Sequence, residues 1–304
     1  MEFGRYLSVI VTPFNDDNTI NYDSLRKIAQ HMIDGGVEGF IVAATGGESA
    51  TMALEERIAL TKFMKAEFGG KAQIVVGTGN NNTAASIKTT KAIEEAGADA
   101  VLLVAPYYNK PSQEGLYQHY KAVAESTSLP VFLYNVPGRA GVKIAPSTVA
   151  RLAEIPNIYG MKDASGDMDN LTTLLRTVPE SFRIYTGDDN LAVPALSIGV
   201  YGLISVVAQV IPAEIGEMMA AFRAGRIEEA AAMHRKLFPV LDVMFIASNP
   251  VPTKIALNLM GYNAGGVRLP LTMPSKGQAQ EIANVLCDAG LIQSKEVDKS
   301  LYID

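Results

Sequence analysis

Short apolar runs recur along this chain at nearly regular intervals, and between them apolar positions return every three or four residues. The runs at 7–11, 39–43, 73–77, 100–104, 131–135, 158–162, 182–186 and 202–206 read as strands. The segments between them, among them 23–34, 54–67, 83–96, 113–126 and 146–154, carry the 3.6-residue period of helices. Strand then helix, repeated eight times, predicts an α/β fold of parallel units closed into a (β/α)8 TIM barrel. An open doubly wound sheet would need glycine at the end of Gly77-Thr78-Gly79-Asn80-Asn81-Asn82, where Asn82 stands. That loop is better explained as a turn that caps the next helix.

Helical patterns continue past the eighth unit, at 227–247, 253–260 and 275–289, with no Gly/Ser/Pro linker ahead of them. The expected division is therefore a catalytic barrel over 1–225 and a C-terminal helical extension over 226–304 that docks on it.

Charge and composition narrow the partners. Lys plus Arg number 26 against 32 Asp plus Glu, a net charge of −6, and no basic cluster stands out. Nucleic acid and acidic membranes are thus unfavoured partners. Cys287 is the single cysteine, so no disulfide can form within the chain, which suits a reducing compartment. Met1-Glu2-Phe3-Gly4-Arg5 lacks an export signal, and no apolar stretch reaches the roughly 18 residues that span a bilayer. The expected location is the cytoplasm. His31, His119 and His234 sit in separate amphipathic segments without ligand spacing, so no metal site is expected.

Chemistry concentrates where a barrel would place it, just past the strands. The sixth run, Ile158-Tyr159-Gly160-Met161-Lys162, ends in a lysine. A strand covered on both faces holds such an ammonium at the margin of the core, where desolvation lowers its pKa. The neutral amine can then attack a ketone to form a Schiff base. A lysine in such a place can also snorkel outward or pair with Asp163; its company favours chemistry. Thr45, with the amides of Gly46 and Gly47, offers a cradle for a small carboxylate. Tyr134 and Tyr108 are phenols suited, through Thr45, to a proton relay. Arg139 offers a planar clamp for a second carboxylate. Gly187 stands after strand seven, and Ile204 lies in strand eight. Asp188 and Asp189 read most simply as the start of a helix.

These residues carry a resemblance. Val11-Thr12-Pro13-Phe14, Gly47-Glu48-Ser49-Ala50-Thr51, Pro106-Tyr107-Tyr108-Asn109, Tyr134-Asn135-Val136-Pro137-Gly138-Arg139, Lys162-Asp163-Ala164-Ser165-Gly166-Asp167, Gly187-Asp188-Asp189, Asn249-Pro250-Val251-Pro252-Thr253-Lys254 and Arg268-Leu269-Pro270-Leu271 follow one another in the order found in pyruvate-dependent aldolases. The chain resembles the dihydrodipicolinate synthase family of that superfamily, which also includes N-acetylneuraminate lyase. Arg139 and the run after Lys162 resemble the synthases and not the lyase.

The resemblance implies that Lys162 forms an imine with pyruvate and that L-aspartate 4-semialdehyde adds to the derived enamine, in diaminopimelate and lysine biosynthesis. It assigns Tyr134, Thr45 and Tyr108 to the proton relay, Tyr108 reaching in from a neighbouring subunit. Arg139 would hold the semialdehyde's carboxylate, and Gly187 and Ile204 would line the pocket through their backbones. It further implies a homotetramer built as a dimer of dimers, and no organic cofactor. Two other readings stand beside this one: a pyruvate-dependent Schiff-base aldolase or dehydratase for a 2-oxo sugar acid, and a non-catalytic sensor of small carboxylates.

The chain departs from the family pattern twice. Family members usually carry Gly-Thr-Thr-Gly-Glu where this chain has Ala44-Thr45-Gly46-Gly47-Glu48. One hydroxyl fewer for pyruvate's carboxylate should cost about 0.5–3 kcal/mol of binding. Lysine-inhibited relatives carry histidines and a glutamate where Leu54, Arg57 and Ala85 stand here, while Ser49, Asn81 and Tyr107 remain. An inhibitor ammonium would meet the cation of Arg57, so weak or absent lysine feedback is expected.

Overall fold

The computed structural model describes residues 2–303. Its strands are β1 (Tyr6–Val9), β2 (Gly39–Val42), β3 (Gln73–Gly77), β4 (Ala100–Val104), β5 (Val131–Asn135), β6 (Ile158–Asp163), β7 (Arg183–Thr186) and β8 (Gly202–Ser205). They form one closed barrel in sequence order. The pairings from β2 through β8 are all parallel. Near the closing seam the Leu203 amide donates to the Arg5 carbonyl at 2.8 Å. The (β/α)8 barrel read from the periodicity is the fold the chain adopts. Every residue of β1, β2, β5 and β8 is buried, which is why these strands read as unbroken apolar runs rather than alternating ones.

The helices are α1 (Tyr22–Asp34), α2 (Leu54–Phe68), α3 (Thr83–Glu95), α4 (Gln113–Ala124), α5 (Pro137–Ala140), α6 (Pro146–Leu152), α7 (Met168–Thr177), α8 (Ala192–Ser197), α9 (Pro212–Arg223), α10 (Ile227–Val243), α11 (Val251–Leu259) and α12 (Lys276–Asp288). Several begin at a side chain that takes an otherwise orphaned amide: Asn21 accepts from Ser24, Asn82 from Ala85, Ser112 from Gly115 and Asp167 from Asn170. Asn82 is thus the helix cap its loop predicted. Ser275 and Gln278 cap each other's backbone at the start of α12. No described helix is long and apolar enough to cross a membrane.

Several boundaries differ from the periodicity by one to four residues. The first strand ends at Val9 rather than 11, and the Val11 amide donates instead to Gln209 Oε1 at 2.7 Å. β2 stops one residue early, where Ala43 turns to a φ of 48°. α10 ends at Val243 rather than 247.

Two compact units are distinguishable. One runs up to Leu7 and takes in Glu38–Ala44 and Ala53–Ser205. Its interior includes an aromatic cluster in which Phe3 meets Phe132 edge-on at 5.0 Å and Phe132 meets Tyr185 at 5.8 Å. The buried Tyr185 hydroxyl donates to the Gly4 carbonyl at 2.9 Å. The other unit takes in Ser8–Val37, Thr45–Met52 and the chain from Val206 onward. There α9 packs on α1 and α10, and α12 packs on α10 and α11.

Strand packing leaves no room for a side chain at Gly160 of β6, where a Cβ would come within 2.2 Å of the Arg183 carbonyl oxygen. Gly160→Ala is therefore expected to lower stability by about 2–3 kcal/mol. An unchanged thermal midpoint would contradict this packing.

Candidate active site

Strand register decides what the end of β6 faces. Tyr134 of β5 and Tyr185 of β7 stand level with Lys162, while Asn135 and Thr186 stand level with Asp163. Successive strand residues point to opposite sides, so Lys162 and Asp163 part company. The Asp163 carboxylate accepts from Asn135 Nδ2 at 2.7 Å, Asn170 Nδ2 at 3.2 Å, and the Ser165 amide at 3.1 Å. Asn135 Oδ1 in turn accepts the Ile144 amide at 3.1 Å. Asp163 therefore ties the strand end to its loops, and the simple reading of Lys162 as its ion-pair partner falls.

Lys162 is only 3 % exposed. Its Nζ lies 5.0 Å from the centroid of the Tyr134 ring. Burial pushes its pKa down to about 8; the charges of Asp189 and Asp188 oppose that fall, and Arg139 adds to it. About a tenth of the amine is then neutral at pH 7, against less than about a thousandth for a free lysine. The side chain has its path only because residue 187 is glycine: a Cβ there would lie 2.4 Å from Lys162 Cε.

Asp188 and Asp189 do more than open a helix. Asp188 makes no side-chain cap to the 3₁₀ turn Asp189–Leu191 that follows it. Its Oδ2 accepts the Gly166 amide at 2.9 Å. Burial pushes its pKa up, the Gly166 amide and Lys162 counter this, and Asp163 adds to it. Asp189 is buried and accepts a short hydrogen bond from the Ser205 hydroxyl. Ser205 directly follows Ile204, which is fully buried in β8. Two acids just past a strand end, beside the lysine-bearing strand, were the signal that the helix-start reading passed over.

Tyr108 is 88 % exposed with a φ of 73°, a backbone state that a bulky residue seldom adopts. Among the described residues nothing covers most of its side chain. Arg139 is exposed on α5 and reaches Lys162 through its field. Thr45, Gly46 and Gly47 belong to the second unit, in the loop after β2. Gly46 and Gly47 are buried there, and Thr45 is half-buried. The Glu48 amide closes a turn on the Thr45 carbonyl at 3.1 Å, and the Thr12 hydroxyl donates to the Gly47 carbonyl at 2.8 Å. A Cβ at Gly46 would meet Val9 Cγ2 at 3.2 Å and Asn249 Oδ1 at 3.7 Å. Any side chain at 46 must therefore shift Val9.

Arg57 donates to the Gly77 carbonyl at 3.4 Å, and burial lowers its pKa against the opposing charge of Tyr107. Asn80 Nδ2 donates to the Tyr107 hydroxyl at 3.4 Å. A guanidinium thus stands by Tyr107.

A parallel barrel with a dry lysine near the end of its sixth strand suits Schiff-base chemistry, and the chain is an enzyme of the Schiff-base lyase type, the class I aldolases, as its family shows. The chain belongs to the dihydrodipicolinate synthetase family, whose profile matches residues 2–289. It is 48% identical over 292 residues to the 4-hydroxy-tetrahydrodipicolinate synthase of Moorella thermoacetica, covering 96% of this chain and 100% of that one. Among solved structures, it is similar to a dihydrodipicolinate synthase of Bacillus anthracis, with a TM-score of 0.92 and 44% identity over 94% of this chain and 98% of that one. It is likewise similar to a chloride-inhibited dihydrodipicolinate synthase of Acinetobacter baumannii complexed with pyruvate, with a TM-score of 0.91 and 41% identity over 95% of this chain and 100% of that one.

The amine's setting fixes a pH response. Imine formation needs the neutral amine, so the initial rate of pyruvate-dependent borohydride inactivation should rise with an apparent pKa of about 8. A rate still climbing in proportion to hydroxide past pH ~10 would show an ordinary, solvated lysine.

Proposed function

We propose that this chain condenses pyruvate with L-aspartate 4-semialdehyde through an imine at Lys162, in diaminopimelate and lysine biosynthesis. The observation that carries the reading is the buried Lys162 amine, held against Tyr134 and drawn down to about 8. Its lone pair attacks the ketone carbon of pyruvate, and loss of water gives the imine. Loss of a methyl proton yields the enamine, which adds to the semialdehyde's aldehyde. The substrate's own amine then attacks the imine carbon, closes the ring and releases Lys162.

Each proton must be carried. Tyr134, Thr45 and Tyr108 are assigned to that relay, with the exposed Tyr108 acting in a neighbouring subunit of a homotetramer built as a dimer of dimers. Thr45, Gly46 and Gly47 take pyruvate's carboxylate, one hydroxyl short of the usual family set, and Arg139 takes the semialdehyde's carboxylate. Gly187 and Ile204 contribute backbone groups to the pocket. In this reading residues 1–225 carry the chemistry, residues 226–304 support it, and the enzyme works in the cytoplasm without an organic cofactor.

Borohydride added with pyruvate should leave one reduced three-carbon adduct, on Lys162, by peptide mass spectrometry, and Lys162→Met should carry none. Consumption of pyruvate with the semialdehyde in a coupled assay should accompany it. An adduct with pyruvate but no turnover of the semialdehyde would point to a different acceptor, such as a 2-oxo sugar acid. No adduct at all would leave only a sensor of small carboxylates.

Arg57 also sets a regulatory expectation. L-Lysine at millimolar concentration should inhibit the initial rate little or not at all, because an inhibitor ammonium placed by Tyr107 meets a guanidinium. Strong inhibition at that concentration would contradict this.

A further inference from the structure

We propose that the buried Glu48–Lys254 pair is a positioning device for pyruvate: it locks the backbone of the loop Thr45-Gly46-Gly47 so that its donors keep the spacing a carboxylate needs. This deepens the reading of that loop as the pyruvate site and rests on it.

Glu48 follows the loop directly and holds φ 57° and ψ 39°, left-handed values that a residue with a side chain seldom adopts. Something must hold it there. Its carboxylate, 1% exposed, lies 2.7 Å from Nζ of Lys254, whose side chain is fully buried. The same ammonium donates to the Gly266 carbonyl at 2.6 Å and sits 4.1 Å from the centroid of the Phe14 ring. The other carboxylate oxygen, Oε2, accepts the Arg268 amide at 2.9 Å. The Arg268 guanidinium, 4.2 Å from the Phe14 centroid, donates to the carbonyls of Thr51 at 3.1 Å and Asn18 at 2.7 Å. The loop is thus anchored just past its last glycine by an ion pair, a backbone amide and an arginine fork.

A buried ion pair is a poor device for stability, because apolar residues of the same volume commonly do as well or better. What it supplies is direction. A carboxylate fixed at both oxygens leaves its backbone little freedom. The loop it adjoins has unusual need of that restraint, since two consecutive glycines, Gly46 and Gly47, give it the most permissive backbone in the alphabet. Replacement of the usual threonine by Gly46 therefore raises the share of loop order that must come from Glu48. Burial also draws Lys254 down to about 8 against the pull of Glu48.

The test removes both charges together. Glu48→Gln combined with Lys254→Met should fold with a near-parental thermal midpoint, while the pyruvate KM rises about tenfold, as a loosened donor set predicts. The semialdehyde KM and the rate at saturating pyruvate should stay within about twofold, and the Lys162 adduct should still form at saturating pyruvate. Glu48→Asp keeps the charge but shortens the tether by one methylene, and should raise the pyruvate KM in the same direction if the double variant fails to fold. Thr45→Val separates the two levels of inference. A raised pyruvate KM in Thr45→Val with an unchanged one in both Glu48 variants would overturn the positioning role and leave the pair a scaffold. An unchanged pyruvate KM in Thr45→Val as well would overturn the reading of the loop itself.

Discussion

The proposed chemistry depends on an ammonium that the fold keeps from water. Parallel strands wrapped by helices are covered on both faces, so a side chain ending such a strand gains solvent only if a loop leaves it open. Lys162 gains almost none. Its fall from the usual 10.5 to about 8 corresponds to about 3 kcal/mol of disfavour toward its charged form. The sign follows from proton binding: the folded chain holds this proton less tightly than the unfolded one. The destabilisation is therefore full below about pH 8 and fades as pH rises through 10.5, above which both states are neutral. The fold carries that disadvantage at neutral pH, and the same disadvantage leaves part of the amine neutral, as the proposed attack on pyruvate requires.

The surrounding residues divide the work of tolerating it. Glycine at 187 leaves space for the lysine's methylenes, and the Tyr134 ring offers a face to the ammonium. Asp188 and Asp189 supply negative charge without a direct claim on the amine, because one holds the Gly166 amide and the other the Ser205 hydroxyl. Asp163, the acid nearest in sequence, is occupied by Asn135, Asn170 and Ser165. Had it faced the lysine, the pair would have raised the amine's pKa and weakened its nucleophilicity.

Much of this was legible in the sequence, and the legible parts share a cause. Strands buried on both faces leave unbroken apolar runs and helices keep the period of their one buried face, so the barrel and its order could be read from residues 7 to 206. Lys162 could be read because an ionisable residue ending an apolar strand is locally anomalous. What local patterns miss is pairing across the chain. The hydrogen bond from Ser205 to Asp189 joins two strand ends, and the Glu48–Lys254 pair joins a loop after β2 to α11. Nothing within a window of ten residues marks either. The end of the first strand failed for the same reason, since Gln209 meets the Val11 amide from far along the chain. Tyr108 was legible as a candidate, yet its strained backbone and bare ring were not.

The most direct measurement is the titration of Lys162 itself, free of substrate, by NMR of protein carrying ¹³C-labelled lysine, with Lys162→Met used to assign its resonance. The side-chain carbon beside Nζ should shift with a midpoint of about 8. A midpoint at or above the ordinary 10.5 would mean that the amine is solvated or ion-paired, and the account of its reactivity would fail.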